Sequence, residues 1–241
     1  MSKLPILMYH NVSKNDTESI GLTISENRLN EQFEYLKANK YNTFHFSDIM
    51  LMQEKGLKLP KKSVIITFDD VYVNQLDLAY PLLKSNNLKA CFYIPMAYVG
   101  GKDDWNSGKE AIMSVEQLQS MDSTIVELGL HSFYHKNYKD ISLQETQEDF
   151  QKCKAFINDN NLDIKNVLAY PYGKYPKSKM VKADFFEELQ HQKIAYALRI
   201  GNRINRFPFK NNYEIQRIDI KGEDSLKTFK LKLKFGKLKL F

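Results

Sequence analysis

The stretch Val64-Ile65-Ile66-Thr67-Phe68-Asp69-Asp70 is an apolar, largely β-branched run that ends in two adjacent carboxylates. A strand with one solvated face alternates apolar and polar side chains. This run does not, so it reads as a strand covered on both faces, central in a parallel sheet, with its carboxyl end at a crevice. Successive strand residues point to opposite faces, so Asp69 and Asp70 are expected to serve different roles unless the strand breaks between them. Taken alone, the doublet also reads as a solvated turn, because Asp is a common turn former.

A second strand-like run, Ile125-Val126-Glu127-Leu128-Gly129-Leu130, is followed by His131-Ser132-Phe133-Tyr134-His135. If the chain turns helically there, histidines at i and i+4 lie one above the other and both imidazoles reach one ion; a packing or surface role is the plain alternative. Tyr170-Pro171-Tyr172-Gly173 marks a third strand exit, where an ordinary β-turn is the alternative. Together the three motifs describe three strand ends converging on one place.

In this order and at these separations, Thr67-Phe68-Asp69-Asp70, His131-Ser132-Phe133-Tyr134-His135 and Ala169-Tyr170-Pro171-Tyr172-Gly173 resemble the motifs of the polysaccharide deacetylases, the NodB-homology domain. The likeness runs from about Leu4 to about Phe229. The family pattern is Thr-Phe-Asp-Asp, then His-Ser/Thr-x-x-x-His or its one-residue-shorter form, then Arg-x-Pro-Tyr/Phe-Gly. The resemblance implies an α/β fold, a distorted or incomplete (β/α) barrel of seven or eight units in a single domain. It also implies a divalent metal held by one Asp and two His, and removal of N- or O-acetyl groups from sugars.

Carried over residue by residue, the resemblance makes Asp70, His131 and His135 the metal ligands and Asp69 the general base on the attacking water. Zinc is the expected ion, with cobalt, manganese or nickel as alternatives. The Tyr172 backbone N–H is the expected oxyanion donor. Two positions depart from the pattern. Ala169 stands where the third motif carries an Arg that orients the base. The late strand end Arg217-Ile218-Asp219-Ile220 lacks the His of the family's Leu-x-His general acid. Arg217 is the candidate for the first role, with a surface position as the alternative. His10, ending the first strand, is the candidate acid, with a buried structural role as the alternative. Leu189-Gln190-His191 spells Leu-x-His but falls on a predicted helix. Trp105, Tyr134, Pro171 and Arg217 are the expected substrate-binding residues, with Trp105 the best stacking platform.

The rest of the sequence bounds this reading. A chain of 241 residues can bury one sizeable core but not two catalytic domains, and its formal charge of +6 comes from scattered basic residues without a nucleic-acid stripe. Cys91 and Cys153 sit in apolar contexts far from any CxxC spacing and read as reduced core thiols. No run is apolar for long enough to span a bilayer, and Met1 to Pro5 lead straight into the first predicted strand, so a cytoplasmic location is expected. Short apolar strands alternate with amphipathic helices throughout, including one from about Ser25 and one opened by the capping box Ser142-Leu143-Gln144-Glu145.

Residues 1–229 are expected to form the catalytic domain and 230–241 a basic tail. Alternating Lys and Leu or Phe make that tail either a last helix capping the barrel or a weak contact with an anionic membrane surface. The expected activity is metal-dependent deacetylation of an acetylated glycan, a lipid-linked sugar or a surface-polysaccharide precursor. Two alternatives stand beside it: a glycan-binding relic that has lost turnover, and a hydrolase of small amides.

Overall fold

The computed structural model describes residues 2–236. Every residue of Ser63–Asp69 is buried, which explains its unbroken apolar reading: Val64, Ile66 and Phe68 face an outer helical layer, while Ile65 faces a separate interior cluster with Ile6, Cys91, Tyr93, Val167, Leu198 and Ile215. Seven strands share this arrangement: β1 (Ile6–Tyr9), β2 (Ser63–Asp69), β3 (Ala90–Ile94), β4 (Val126–Leu130), β5 (Ile164–Ala169), β6 (Tyr196–Ile200) and β7 (Ile215–Asp219). Each pairs in parallel with its successor, and β7 pairs back onto β1, so the sheet closes as a seven-stranded barrel in chain order. Asn42–Thr43 adds a short strand outside the ring, on β2.

Among the described residues, seven helices surround the barrel: α1 (Glu26–Ala38), α2 (Phe46–Glu54), α3 (Tyr80–Asn86), α4 (Val115–Ser120), α5 (Leu143–Asp159), α6 (Lys179–His191) and α7 (Leu226–Phe235). Their starts follow from local chemistry. Ser25, Ser114, Ser142 and Ser225 each accept a hydrogen bond from a first-turn amide, satisfying donors that the helix cannot. A π-turn, Gln75–Ala79, runs directly into α3.

The crossover from β6 to β7 has no helix. Instead, residues 201–214 descend along the barrel wall, and Asn205–Phe207 pairs antiparallel with Ser2–Leu4. The boundary expected after residue 229 falls inside α7, whose Phe229 and Leu233 are buried, so the helix joins the domain to the start of the basic tail. Residues 237–241 of that tail lie outside the described residues. No described helix is long and apolar enough to cross a membrane.

Candidate active site

β2 ends at Asp69, and Asp70 takes a left-handed backbone conformation with φ 77°. The strand therefore breaks between the two carboxylates, which lets both turn into the barrel mouth instead of pointing to opposite faces. Val71, Ser132, His135 and Tyr172 also have positive φ without being glycine. Such conformations cost free energy and persist where surrounding contacts enforce them, often at functional sites.

Asp69 is held from two sides. Arg217 on β7 is fully buried, and its Nη1 and Nη2 donate to Asp69 Oδ1 and Oδ2 at 2.5 and 2.8 Å, a bidentate fork. His10 Nε2 lies 3.6 Å from Asp69 Oδ2. Burial alone would raise the Asp69 carboxyl, but the Arg217 charge, with His131 and His10, holds it well below the usual carboxylate range. Gln75 Nε2 donates to the carbonyls of both Asp69 (2.6 Å) and His10 (2.9 Å), tying two strand ends together from the π-turn.

Asp70 meets a different environment. Its Oδ1 lies 3.5 Å from His131 Nε2 and 3.3 Å from His135 Nε2, yet this buried oxygen accepts no hydrogen bond. His131 Nδ1 is 2.7 Å from the Ala169 carbonyl. A carbonyl only accepts, so Nδ1 carries the proton and the Nε2 lone pair faces Asp70. Burial pushes His131 down to about 4, keeping that lone pair available.

Ligands about 2.1 Å from a tetrahedral ion stand roughly 3.4 Å apart, close to the two separations found here. One carboxylate, two imidazoles and an orphaned acceptor thus fit a divalent metal. Among the described residues, this is the one such cluster of ligating side chains, its donor atoms all within 4.8 Å of one another.

The two histidines do not meet through a helical turn, contrary to the sequence expectation. Residues 131–135 form a loop, with Ser132 at φ 67° and His135 at φ 54° reversing the chain. Asp149 on α5 holds that loop by accepting from Ser132 Oγ, the Phe133 amide and Tyr138 Oη at 3.0, 2.9 and 2.7 Å. Nothing in the sequence marked Asp149, which occupies an ordinary position on an amphipathic helix.

The mouth encloses a cavity of about 360 Å³ lined by His10, Asp69, Asp70, Trp105, His131, His135 and Tyr172 among others. Trp105 stacks on the His135 ring, and Tyr172 meets the same ring edge-on while its hydroxyl lies 3.2 Å from His135 Nδ1. Gly173 follows at φ 64°, and a Cβ there would come within 2.5 Å of Ile200, so the turn requires glycine. Three expected substrate-binding residues are engaged with the protein itself. Tyr134 does not line the cavity: its ring lies outside, beneath the Lys152 ammonium at 4.6 Å. Pro171 is buried beneath the turn that it shapes. Arg217 lines the cavity, but both its Nη groups are spent on Asp69.

His191 is exposed on α6, and His45 caps α2 at the far end of the barrel. Tyr72, Asn106, Asp219 and Lys221 also line the cavity, though sequence reading gave none of them a role there. The strand-end position of Asp219 was the one available signal.

The polysaccharide deacetylase profile matches residues 56–186, more than half of the chain and all three motifs. The chain belongs to the polysaccharide deacetylase family. It is 26% identical over 183 residues to the putative polysaccharide deacetylase YxkH of Bacillus subtilis, covering 76% of this chain and 61% of that one. It is 25% identical over 238 residues to the poly-beta-1,6-N-acetyl-D-glucosamine N-deacetylase of Staphylococcus epidermidis, covering 90% of this chain and 78% of that one. The chain thus spans less than two thirds of the Bacillus relative. Among solved structures, the deacetylase PplD of Streptococcus pyogenes, in complex with acetate, superposes with TM-score 0.78 at 20% identity over 96% of this chain and 98% of that one. IcaB from Ammonifex degensii gives 0.74 at 20% identity over 97% of each. At such identity, these two likenesses concern the fold.

Proposed function

We propose that this protein is a metal-dependent deacetylase that hydrolyses the acetyl amide of N-acetylated sugar residues in a glycan. The observation that carries this reading is the unequal treatment of two adjacent carboxylates in a chain of this family. Asp70 faces two imidazoles with an unpartnered oxygen, while Asp69 is clamped by Arg217. The names of the staphylococcal relatives, poly-beta-1,6-N-acetyl-D-glucosamine N-deacetylases, point to N-acetylglucosamine units within a glycan as the sugar acted on.

Asp70, His131 and His135 would hold the ion, for which zinc is our choice. When bound, it would acidify the attacking water and polarise the acetyl carbonyl, which matters here because a carboxylate as acidic as Asp69 is a weak base. Asp69, fixed by the guanidinium fork, takes the proton from the water. The Tyr172 amide, presented by its tight turn, donates to the oxyanion of the tetrahedral intermediate. His10, within 4 Å of the base, gives a proton to the departing amine. Trp105 and the half-exposed Tyr172 flank the mouth and offer faces on which a sugar ring can stack. That aromatic rim favours a sugar over a small amide.

The relic alternative rested on Ala169 and on the missing late histidine. Arg217 and His10 offer replacements for both functions on neighbouring strands, which argues for retained turnover. The test is acetate release from N-acetylglucosamine oligomers, measured before chelation, after it, and after zinc is restored. A fully metal-loaded protein that frees no acetate from any acetylated sugar would falsify the proposal.

A further inference from the structure

Two clefts larger than the catalytic cavity flank the helix-free crossover between β6 and β7. They measure about 720 and 940 Å³ and share Ile204, Asn205 and Arg206 as a common wall. The first is bordered by Lys3, Arg203 and Lys234 as well as the shared Arg206. The second adds Lys177, Arg199 and Lys210. Among the described residues, none of these seven cations is ion-paired to a carboxylate.

Among the described residues, the only acid in either lining is Glu214, and it is already engaged by Tyr175 Oη, Asn211 Nδ2 and Lys182 Nζ at 2.6, 3.0 and 3.4 Å. Burial, followed by the neighbouring Arg199 charge, holds the Lys177 ammonium below its usual value. A surface that concentrates unneutralised cations beside a recess attracts anions, and guanidinium groups suit phosphate oxygens in particular.

The clefts adjoin the catalytic mouth at the end of β6. Ile200 lines the catalytic cavity, while Gly201 and Asn202, the next two residues, line the first cleft, and Arg199 lines the second. Asn202 Oδ1 accepts from the amide of Asp219, which borders the catalytic cavity. An oligosaccharide with one sugar in the mouth is therefore within reach of the crossover. The recessed shape favours a flexible chain over a flat bilayer.

We infer that the crossover clefts bind the anionic groups of the glycan on which the catalytic mouth acts, so that the substrate is an acetylated saccharide bearing phosphodiesters or carboxylates near the sugar that is deacetylated. This rests on the deacetylase reading for the identity of the chain, but its binding half can be tested separately. Calorimetry compares a short polymer of N-acetylglucosamine 1-phosphate with a neutral N-acetylglucosamine oligomer of equal length, on the full protein and on K177Q/R199Q/R206Q. None of these three residues belongs to the catalytic machinery.

The phosphodiester polymer is expected to bind about tenfold or more tightly than the neutral oligomer, with the difference abolished by the triple substitution and by high salt. Turnover of the neutral oligomer should be unchanged in the variant. Should that variant not fold, the salt dependence of the unaltered protein decides the matter. Equal affinity for both polymers, or a preference that survives the substitution or high salt, overturns the inference. Vesicles of equal parts phosphatidylcholine and phosphatidylglycerol form the second arm: binding to them with no preference for the phosphodiester polymer would assign the surface to lipid headgroups and also overturn it. Calorimetry reads binding whether or not acetate is released. Charge-dependent binding without turnover would thus remove the deacetylase reading and leave the anion groove standing.

Discussion

The two ends of the barrel each bury a carboxylate beside histidine, and the contrast between them separates folding from function. At the base, Glu127 accepts from the amides of Phe46 (2.9 Å) and Ser47 (3.1 Å) at the start of α2, and His45 Nε2 lies 3.1 Å from the Ile125 carbonyl. At the mouth, Asp70 Oδ1, His10 Nδ1 and Asp219 Oδ1 are buried and bonded to nothing. Buried polar atoms are normally satisfied, and although isolated orphans such as Tyr93 Oη and Gln192 Oε1 occur elsewhere, the three at the mouth stand together on one cavity where an external partner can reach them. Residue type alone does not tell the ends apart; the state of the lone pairs does.

The comparison breaks most visibly if the mouth does not need its ligands. His131→Ala, His135→Ala and Asp70→Asn should each remove the metal and reduce acetate release to background, as read by elemental analysis and an acetate assay. A variant that keeps a full equivalent of metal would refute the ligand assignment. Asp69→Asn should keep the metal and lower turnover by a factor on the order of 10²–10⁴. Arg217→Met leaves the Asp69 charge buried and unpaired, and should cost about 3–5 kcal/mol of stability in urea unfolding as well as activity.

His10→Ala is expected to impair amide substrates more than activated esters, whose leaving groups need no proton. Equal losses on both, with a lower melting temperature, would mean that His10 only supports the fold. The pH response comes next. In the metal-free protein, His131 protonates near pH 4, against a usual value of 6.5. Between those values the unfolded chain binds a proton that the folded chain does not, so stability should fall as pH drops from 6.5 toward 4 and be complete above that range. Thermal unfolding of the metal-free protein across this range checks the sign. Glu127→Gln at the base gives the smallest effect, about 1 kcal/mol of stability, with metal content and turnover unchanged. A loss of metal in this variant would show that the two ends are coupled.

Much of the scaffold was legible in the sequence because it depends on local signals. The unbroken run Val64 to Phe68 announced a doubly covered strand, and Ser25 and Ser142 announced their helices through capping. What remained hidden depends on closure or on backbone sign. Arg217 meets Asp69 across 148 residues, only because β7 returns to β1 and β1 pairs with β2. The choice between seven and eight barrel units was likewise a matter of that closure. The histidine pair was visible as a spacing, but its loop geometry comes from positive φ at Ser132 and His135, which no periodicity encodes. Asp149 acts through backbone and hydroxyl donors, so its surroundings in sequence carry no trace of the task.

The hydrogen bond from His131 to the carbonyl of Ala169 has an evolutionary corollary. What the histidine draws from position 169 is a peptide oxygen, which every amino acid supplies, so selection on the proposed metal ligand leaves the side chain there free to drift. The guanidinium expected at 169 is instead provided from β7, two strands further along the chain. A motif at such a site is a set of places around a ring, and mutation can move a chemical group from one stave to another while the linear pattern decays. Swapping the two residues, Ala169→Arg with Arg217→Ala, asks whether the ring also accepts its guanidinium from position 169.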